Sequence, residues 1–575
     1  MKQLYKFLSP YRKESILGPL FKLLEASFEL LVPLVMKAII DTGINGGGGR
    51  PYVIKMCLVL VALGLIGMLC SFTAQFFAAK AATGFAADVR HALFKHLEEL
   101  SFTEIDRIGT STMITRMTSD INLLQNGVNL TLRLLLRSPF VVIGAMVMAF
   151  FVDFKAALVF VVVIPVLAVI VFGIMLITMP IYKRAQKALD AVLKSTRENL
   201  GGIRVIRAFC KEYSETREFT ARNEALADIQ KYVGKISALM NPVTYVVINF
   251  AVIVLIYVGA LRVETGILLQ GGVVALYNYM SQILIELIKL ANMIISLTKA
   301  IAGGNRVADV LNEKPTLVNG SLKNGASKGG SVEFKNVTLV YGGSKEASLE
   351  KISFKAEPGE TIGIIGGTGS GKTSLVHMIP RFYDAASGSV LVDGTDTREY
   401  DVNALRDKIG IVMQKAVLFK GTIRDNIKWG KPDATDEEIN EAIATAQASE
   451  VVDDKEGGLD YELEQGGKNL SGGQRQRMTI ARALVKKPEI LILDDSASAL
   501  DFATDAALRT AIREMKNAPT TFIVSQRAAS VMYADKIIVL DDGRIAGMGT
   551  HDELIDSCDI YSEIYYSQFP KEVRV

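Results

Sequence analysis

Apolar residues are distributed unevenly and divide the chain into two parts. Residues 14–302 carry repeated long apolar stretches, whereas residues 331–575 have the mixed pattern of an ordinary soluble α/β domain. A helix needs roughly 20 mostly apolar residues to cross ~30 Å of hydrocarbon. Six segments reach this length, so we predict six membrane-spanning helices at about 16–42, 53–80, 131–152, 155–182, 237–262 and 271–302.

The first of these segments is the least apolar, because it contains Lys22, Glu25, Glu29 and Lys37. Lys and Glu at helical spacing can pair, and a charged stripe that faces a cavity is tolerated in a span. We therefore favour a span over the alternative, an interfacial helix.

Polar residues also occur inside the predicted spans, where contact with lipid would be costly. They either make interhelical hydrogen bonds or line a substrate path, and Glu286 and Lys289 can simply pair with each other. The candidates are Glu25, Glu29, Asn249, Asn278, Gln282 and Glu286.

Two long charged loops, at about 81–130 and 183–239, contrast with the short connections between the other spans. Because positive residues favour the cytoplasmic side, these loops, both termini and the C-terminal domain are predicted to be cytoplasmic. Both loops have helical periodicity and are expected to extend the membrane helices, with connecting helices near Ser101–Ile114 and Gly201–Arg207. Their basic residues include Arg90, Lys95, Arg107, Arg116, Lys183, Arg184, Arg197, Arg204, Arg207 and Lys211.

Length and composition narrow the class of protein further. A chain of 575 residues suits two or three domains, and its net charge of +3 does not indicate a nucleic-acid partner. The four cysteines are scattered, which indicates neither a disulfide framework nor a zinc site. The basic N-terminus has no cleavage pattern, so the first span is expected to act as an uncleaved insertion signal. A polar, glycine-rich linker at 312–330 separates a membrane domain (1–311) from a C-terminal domain (331–575).

A phosphate-binding loop is predicted after the apolar run Thr361–Ile365. The pattern G-x-x-x-x-G-K-[ST] precedes a predicted helix that starts near Ser374, which makes this motif specific. Its glycines let backbone N–H groups surround phosphate oxygens, Lys372 adds positive charge, and the Thr373 hydroxyl can ligate magnesium. The motif consists of Gly366, Gly367, Thr368, Gly369, Ser370, Gly371, Lys372 and Thr373.

Two further motifs carry chemistry. The apolar strand Ile490–Leu493 ends in Asp494 and Asp495, and a carboxylate at such a strand end suits magnesium. A second anion-binding cap opens a helix at Ser471, Gly472, Gly473 and Gln474. Because one nucleotide rarely needs two phosphate cradles, we predict a head-to-tail dimer in which each ATP lies between one subunit's loop and the other's cap.

This combination of motifs resembles the ATP-binding cassette (ABC) superfamily, and six spans ahead of one cassette resemble its exporter half-transporters. The resemblance covers essentially the whole chain. It implies an all-α six-helix membrane domain and an α/β nucleotide-binding domain with a helical subdomain. By the same resemblance Tyr341 stacks on adenine, Gln414 contacts magnesium and senses the membrane domain, and Ser498–Asp501 cross the dimer interface, with Asp501 at the bound nucleotide.

The sequence departs from the family pattern at three positions. Family members that hydrolyse ATP efficiently have Glu where this chain has Asp495, and a switch histidine where it has Gln526. A misplacement of ~1 Å can cost on the order of 100-fold in rate, and glutamine cannot carry a proton near neutral pH. The third change is Gln465, where exporters tend to have Glu.

These departures predict a subunit that binds ATP and Mg²⁺ through Lys372, Thr373, Ser374, Gln414 and Asp494 but hydrolyses ATP slowly. Its own catalytic set is Asp495, Gln526, Lys372 and Gln414. A second half-transporter with an intact Glu and His is the predicted partner, as in bacterial multidrug-type pairs. A homodimeric exporter with slow ATPase activity and a non-transporting, ATP-gated regulator remain the alternatives.

The predicted activity is export across the cell membrane by alternating access. A soluble cassette protein lacks spans, and an importer places membrane and ATPase parts on separate chains. Small molecules, lipids and peptides all use similar apolar cavities, so the sequence leaves the cargo open.

Overall fold

The computed structural model describes residues 3–326, 329–342, 344 and 346–569. The chain forms two compact units. The first comprises the chain up to Glu98 together with Ser111–Glu313, and the second comprises Glu99–Thr110 together with the chain from Lys314 onward.

The first unit is entirely helical. A 3₁₀ helix at Leu4–Tyr11 leads into the long helices, and short π-helical turns lie at Ile39–Ile44 and Arg116–Asp120. The α-helices are α1 (Arg12–Ala38), α2 (Gly49–Glu99), α4 (Thr110–Thr115), α5 (Ile121–Leu134), α6 (Arg137–Val152), α7 (Phe154–Gly201), α8 (Ile203–Ala208), α9 (Glu212–Ala238), α10 (Met240–Glu264) and α11 (Gln270–Asn312), and α3 (Phe102–Ile108) lies in the second unit.

Five helical segments of the described chain are long and apolar enough to cross a membrane. They contain the last five predicted spans, which confirms those predictions: Gly49–Glu99, Thr110–Val152, Phe154–Gly201, Glu212–Glu264 and Gln270–Asn312. The first predicted span is the helix α1, in which Lys22 pairs with Glu25. Because of its charged residues, α1 is less apolar than these five segments and is not among them. Its crossing of the membrane therefore stays a prediction.

A charged cluster connects three helices of the first unit. Arg137 on α6 is buried, and its two terminal nitrogens lie 2.5 Å from Glu286 on α11 and 2.6 Å from Glu29 on α1. Glu286 also accepts hydrogen bonds from Ser138 and Lys289, both at 2.8 Å, so the predicted Glu286–Lys289 pair is present. The carboxylates therefore face other helices, which avoids the cost of charge in lipid.

The predicted connecting helices are present as α3 and α8. Ser101 and Glu104 form a capping box that starts α3. Within the second unit, the Phe102 ring stacks on Phe382 with centroids 4.4 Å apart, and the Tyr383 hydroxyl donates to Asp106 at 2.6 Å. The segment Glu99–Thr110 therefore belongs to the second unit and packs against its aromatic residues Phe382 and Tyr383.

The second unit contains two main sheets. The antiparallel sheet has the order β2 (Leu349–Ala356), β1 (Val332–Leu339), β4 (Ser387–Val392) and β5 (Thr395–Asp396). The larger sheet has the order β12 (Arg544–Gly549), β11 (Lys536–Asp541), β3 (Thr361–Gly366), β10 (Thr520–Val524), β9 (Ile490–Asp494) and β6 (Ile409–Val412). All its neighbouring strands are parallel except β12, and a short ribbon pairs β7 (Gly421–Thr422) with β8 (Glu462–Leu463).

Helices cover the larger sheet and form a helical subdomain beside it. The central strands β3, β9 and β10 are buried on both faces, which explains their continuous apolar sequences. The helices are α12 (Lys372–Met378), α13 (Val402–Asp407), α14 (Ile423–Lys428), α15 (Asp436–Thr445), α16 (Ser449–Asp453), α17 (Gly472–Leu484), α18 (Phe502–Arg513), α19 (Ala528–Val531), α20 (His551–Ser557) and α21 (Asp559–Gln568), with 3₁₀ turns at Gly458–Asp460 and Ser496–Ala499.

The predicted linker at 312–330 makes defined contacts where the structure describes it. The helix α11 ends at Asn312, and Leu322 forms a parallel β-bridge with Tyr400. Asn319 donates a side-chain hydrogen bond to Asp401 at 2.8 Å. Residues 327 and 328 of this segment lie outside the described residues.

Candidate active site

The predicted phosphate loop connects β3 to α12. Gly369 and Gly371 have φ angles of +85° and +95°, in the left-handed region that favours glycine. A Cβ atom at Gly371 would also lie only 2.8 Å from the backbone oxygen of Ser348. Glycine is therefore required at these positions, and the loop has the strand-loop-helix geometry of a phosphate cradle.

Lys372, the first residue of α12, points back over this loop. Its Nζ donates to the backbone oxygens of Gly366 at 2.9 Å and Gly367 at 2.6 Å. Burial lowers the pKa of Lys372, and the carboxylates of Asp495 and Asp494 oppose this effect. An ammonium group is thus held where phosphate oxygens would meet the loop.

Asp494 ends β9 beside the loop. Its Oδ1 accepts a hydrogen bond from the Thr373 hydroxyl at 3.0 Å, and its buried Oδ2 has no hydrogen-bond partner among the described residues. Burial raises the pKa of Asp494, and the Thr373 hydroxyl and Lys372 act against this shift. A buried carboxylate oxygen without a partner, next to a hydroxyl, fits the oxygen ligands that Mg²⁺ prefers.

The two residues that depart from the family pattern lie at the same edge of the sheet. Asp495 accepts a hydrogen bond from Gln414 Nε2 at 3.2 Å. Gln526 follows β10, and its side chain is exposed. Because β3, β9 and β10 are parallel neighbours, their carboxyl ends place these residues together, as open α/β sheets do for their ligands.

These side chains line one cavity of about 440 Å³. It brings together the predicted residues Thr368–Ser374, Gln414, Asp494, Asp495 and Gln526. Val524 and Ser525, which lead into the switch position Gln526, also line it. No motif in the sequence indicated its remaining residues, which are Ser344, Glu346, Ala347, Ser348, Asp542 and Gly543.

Tyr341 does not line this cavity. Its hydroxyl donates to Ser374 at 2.9 Å, and its ring packs edge-on against Tyr383 with centroids 4.9 Å apart. Burial raises the pKa of Tyr341. The predicted stacking of Tyr341 on adenine stays a prediction.

The predicted second phosphate cap is a true helix start but lies outside the cavity. Ser471 accepts a hydrogen bond from the Gln474 backbone N–H at 3.2 Å, and Gln474 accepts one from the Ser471 N–H at 2.9 Å. This capping box opens α17. Asp501 likewise caps α18 through Thr504 and does not line the cavity.

His377, which belongs to no motif, also lies next to Asp494. Its Nε2 is 3.7 Å from the Asp494 Oδ2, and its ring packs edge-on against Phe382 with centroids 5.3 Å apart. Burial lowers the pKa of His377, and the carboxylate of Asp106 opposes this shift. Burial therefore favours the neutral form of the imidazole beside the carboxylate.

Two family models match the chain. The model of the ABC transporter transmembrane region matches residues 15–287, and the ABC transporter model matches residues 349–498. The second match contains the phosphate loop, the Ser471 cap and Asp494.

Relatives match along most of their length. An "Uncharacterized ABC transporter ATP-binding protein" of Mycobacterium tuberculosis is 35% identical over 570 residues, which are 98% of this chain and 97% of the relative. An ATP-dependent lipid A-core flippase of Desulfotalea psychrophila is 33% identical over 482 residues, 84% of each protein. The solved structure of a bacterial Atm1-family ABC exporter with ATP bound has a TM-score of 0.80 at 22% identity, with 98% of this chain and 99% of that chain covered.

Proposed function

Because the chain belongs to the ABC transporter family and has its exporter fold, we propose that it is the slow-site half of a heterodimeric, ATP-driven exporter. Membership of this family implies that the protein works as a dimer and couples ATP hydrolysis to transport across a membrane. The finer assignment rests on one observation. The residues next to the phosphate loop that would activate water are Asp495 and Gln526, whereas the phosphate-binding residues around them are complete.

The phosphate-binding half of the site supports nucleotide binding. Lys372 would compensate the charge of the phosphates, and the loop N–H groups would receive their oxygens. Thr373, Asp494 and Gln414 would hold Mg²⁺, directly or through water, and this ion would stabilise negative charge on the phosphates. These roles fit the buried, unpartnered Oδ2 of Asp494.

The water-activating half of the site supports slow hydrolysis. A general base has to reach the attacking water within hydrogen-bond distance, and Asp495 is one methylene shorter than Glu. In this structure the Asp495 carboxylate also accepts a hydrogen bond from Gln414. Gln526 can hydrogen-bond a phosphate oxygen, but it cannot become a cation or transfer a proton as histidine does.

The partner in this proposal is a second half-transporter that supplies its own Glu and His. The Ser471 cap of this chain would then complete the partner's site, because the cap lies outside the cavity formed by its own phosphate loop. Hydrolysis at the partner's site resets the pump. Slow turnover at this chain's own site keeps the two cassettes associated and biases the equilibrium between inward and outward states.

The proposed cargo is hydrophobic or amphipathic, and the cassette is cytoplasmic. A lipid A-core flippase among the relatives supports the substrate class, and the basic residues of the two long loops support the orientation.

Restoring both departures tests the proposal. In the purified chain we expect weak ATPase activity, and Asp495→Glu combined with Gln526→His should raise it at least tenfold, because a base of full length and a titratable switch residue return. Lys487→Met, on an exposed ion pair, is the matched control and should leave activity unchanged. Wild-type turnover as fast as that of the double variant would contradict the slow-site assignment.

Copurification and transport distinguish the alternatives. A tagged chain isolated from native membranes should bring a different half-transporter with it, and ligand efflux should require both chains. Isolation as two identical, actively pumping copies favours the homodimeric exporter. ATP-dependent binding without efflux favours the regulator.

A further inference from the structure

The C-terminal helix contacts the segment that carries Gln526. Gln568, the last residue of α21, donates from its Nε2 to the backbone oxygen of Gln526 at 2.9 Å. Its Oε1 accepts from the backbone N–H of Ala528, also at 2.9 Å. One side-chain amide thus satisfies a carbonyl and an N–H two residues apart.

The two hydrogen bonds require a side chain at position 568 that both donates and accepts, with the amide nitrogen toward Gln526 and the amide oxygen toward Ala528. The carbonyl of Gln526 needs a donor, and the N–H of Ala528, the first residue of α19, needs an acceptor because it has no partner inside the helix. A carboxylate supplies only the acceptor, and an apolar side chain supplies neither.

The helix that presents Gln568 is anchored independently of this amide. Tyr561, near the start of α21, is 0% exposed and belongs to the hydrophobic core of the second unit. Its hydroxyl lies 2.8 Å from the Nδ1 of His551. The position of α21 is therefore set by its core contacts, and Gln568 extends from a fixed element.

The clamped segment in turn holds the loop that follows Asp495. Arg527 donates hydrogen bonds to the backbone oxygens of Ala497, Ser498 and Leu500. Its guanidinium also lies 5.6 Å from the ring centroid of Phe502. The Asp495 N–H donates to the Val524 oxygen at 3.0 Å. The backbones of the two catalytic positions are thus tied to each other and, through Gln568, to the C-terminal helix.

We propose that Gln568 is a positioning residue that fixes the backbone at Gln526, and with it the side chain that faces the nucleotide cavity. This inference rests on the proposed function, because it assigns Gln526 to the hydrolytic site. Gln568 itself touches neither the cavity nor the reacting atoms. It acts through the peptide groups on both sides of Arg527.

Hydrogen exchange on the full-length chain in lipid nanodiscs tests the clamp without any need for hydrolysis. The variants are Gln568→Leu, which loses both hydrogen bonds, Gln568→Glu, which keeps the acceptor, and the control Ser567→Ala, whose hydroxyl bonds only within its own helix. In Q568L we expect amides 526–528 to exchange about tenfold faster, with Q568E intermediate and the α21 amides around Tyr561 unchanged. S567A should match the wild type.

Unchanged exchange at 526–528 in Q568L would overturn the proposal. Equal acceleration at 526–528 and around Tyr561 would also overturn it, because Gln568 would then only anchor the helix.

Kinetics in the Asp495→Glu, Gln526→His background provide the functional readout. Adding Q568L should lower kcat several-fold and leave KM for ATP within about twofold, because the phosphate loop is untouched. Unchanged kcat together with faster exchange at 526–528 would refute the positioning role. If the background itself shows no gain in ATPase activity, the slow-site proposal fails, and hydrogen exchange alone then decides whether Gln568 holds the segment.

Discussion

Asp495 adopts a backbone conformation that bears on its replacement. Its φ angle is +48°, in the left-handed region that Asp and Asn enter more readily than most residues because their short side chains can bond the local backbone. Its backbone oxygen accepts a hydrogen bond from the Ser498 hydroxyl at 2.8 Å. Position 495 therefore combines its proposed catalytic role with a conformational requirement.

This conformation predicts a stability cost for restoring the longer side chain. Asp495→Glu should lower the apparent melting temperature of the second unit by about 1–2 °C, since Glu is less tolerant of the left-handed region. Differential scanning calorimetry without nucleotide provides the measurement. Asp453→Glu, in the regular helix α16, should leave the temperature unchanged. An equal or higher melting temperature for the Asp495 variant would contradict the prediction.

The lowered pKa of His377 predicts that the free energy of unfolding depends on pH. Its folded pKa lies below the ordinary 6.5 because the ring is buried. Below pH 6.5 the unfolded chain binds a proton that the folded chain does not, so stability falls as the pH drops from 6.5 toward the folded pKa. His377→Asn should remove this part of the slope.

Denaturant unfolding between pH 7.5 and about 5, in EDTA and without nucleotide, measures this slope. His91→Asn, at an exposed position, is the control and should retain the wild-type slope. Identical slopes for H377N and the wild type would show that His377 does not contribute.

At the scale of residues, the sequence predicted what short motifs encode. Lys372, Thr373 and Asp494 belong to patterns whose spacing carries the chemistry, and the structure brings them to one cavity. His377 and Gln568 belong to no such pattern, because their partners are defined by packing between distant segments. The contact of Tyr341 with Ser374 was not predictable for the same reason.

At the scale of the helices, the membrane unit contains a buried cluster of charged residues, and the sequence predicted only one of its ion pairs. The Glu286–Lys289 pair lies within one helical turn and follows from the sequence. Arg137 is separated from Glu286 by 149 positions, so their pairing depends on how α6 and α11 pack. A buried ion pair is costly to break because the remaining charge is left without a partner.

Arg137→Met should therefore destabilise the first unit strongly, by about 3–5 kcal/mol, whereas Arg137→Met combined with Glu286→Met should recover much of that loss. Thermal unfolding of the chain in detergent, followed by circular dichroism, measures both. Arg222→Met removes an exposed ion pair with Glu218 and should cost less than about 1 kcal/mol. If the Arg137 and Arg222 variants lose equal amounts of stability, the buried cluster stabilises the protein no more than an exposed ion pair does.

The whole molecule combines a membrane unit with a nucleotide-binding unit, and a ligand should stabilise them differently. At a concentration of 100 times Kd, MgATP should stabilise the unit that contains the phosphate loop by about 2.7 kcal/mol. Hydrogen exchange resolves the two units and should show this protection in Lys372–Met378 and its neighbours. Lys372→Met should abolish it, and Lys487→Met should not. Protection that persists in K372M would contradict the assigned role of Lys372.

Hydropathy alone predicted the two-part organisation and five of the spans, because both depend on the composition of long segments. The membership of Glu99–Thr110 in the second unit was not predictable. Its contacts join Phe102 to Phe382 and Asp106 to Tyr383, which are far apart along the chain. The connecting helix itself was predicted, but its packing against Phe382 and Tyr383 was not.

That placement affects how the gene can be divided. A truncated open reading frame that starts at Lys314 would encode the strands and the phosphate loop but leave out the segment that covers Phe382 and Tyr383. The exposed aromatic surface would promote self-association of the fragment during expression. A soluble product would therefore need the segment Glu99–Thr110 grafted back, for example as a circular permutant. Recombination between half-transporter genes would exchange an intact cassette only if it transferred both this segment and the chain from Lys314 onward.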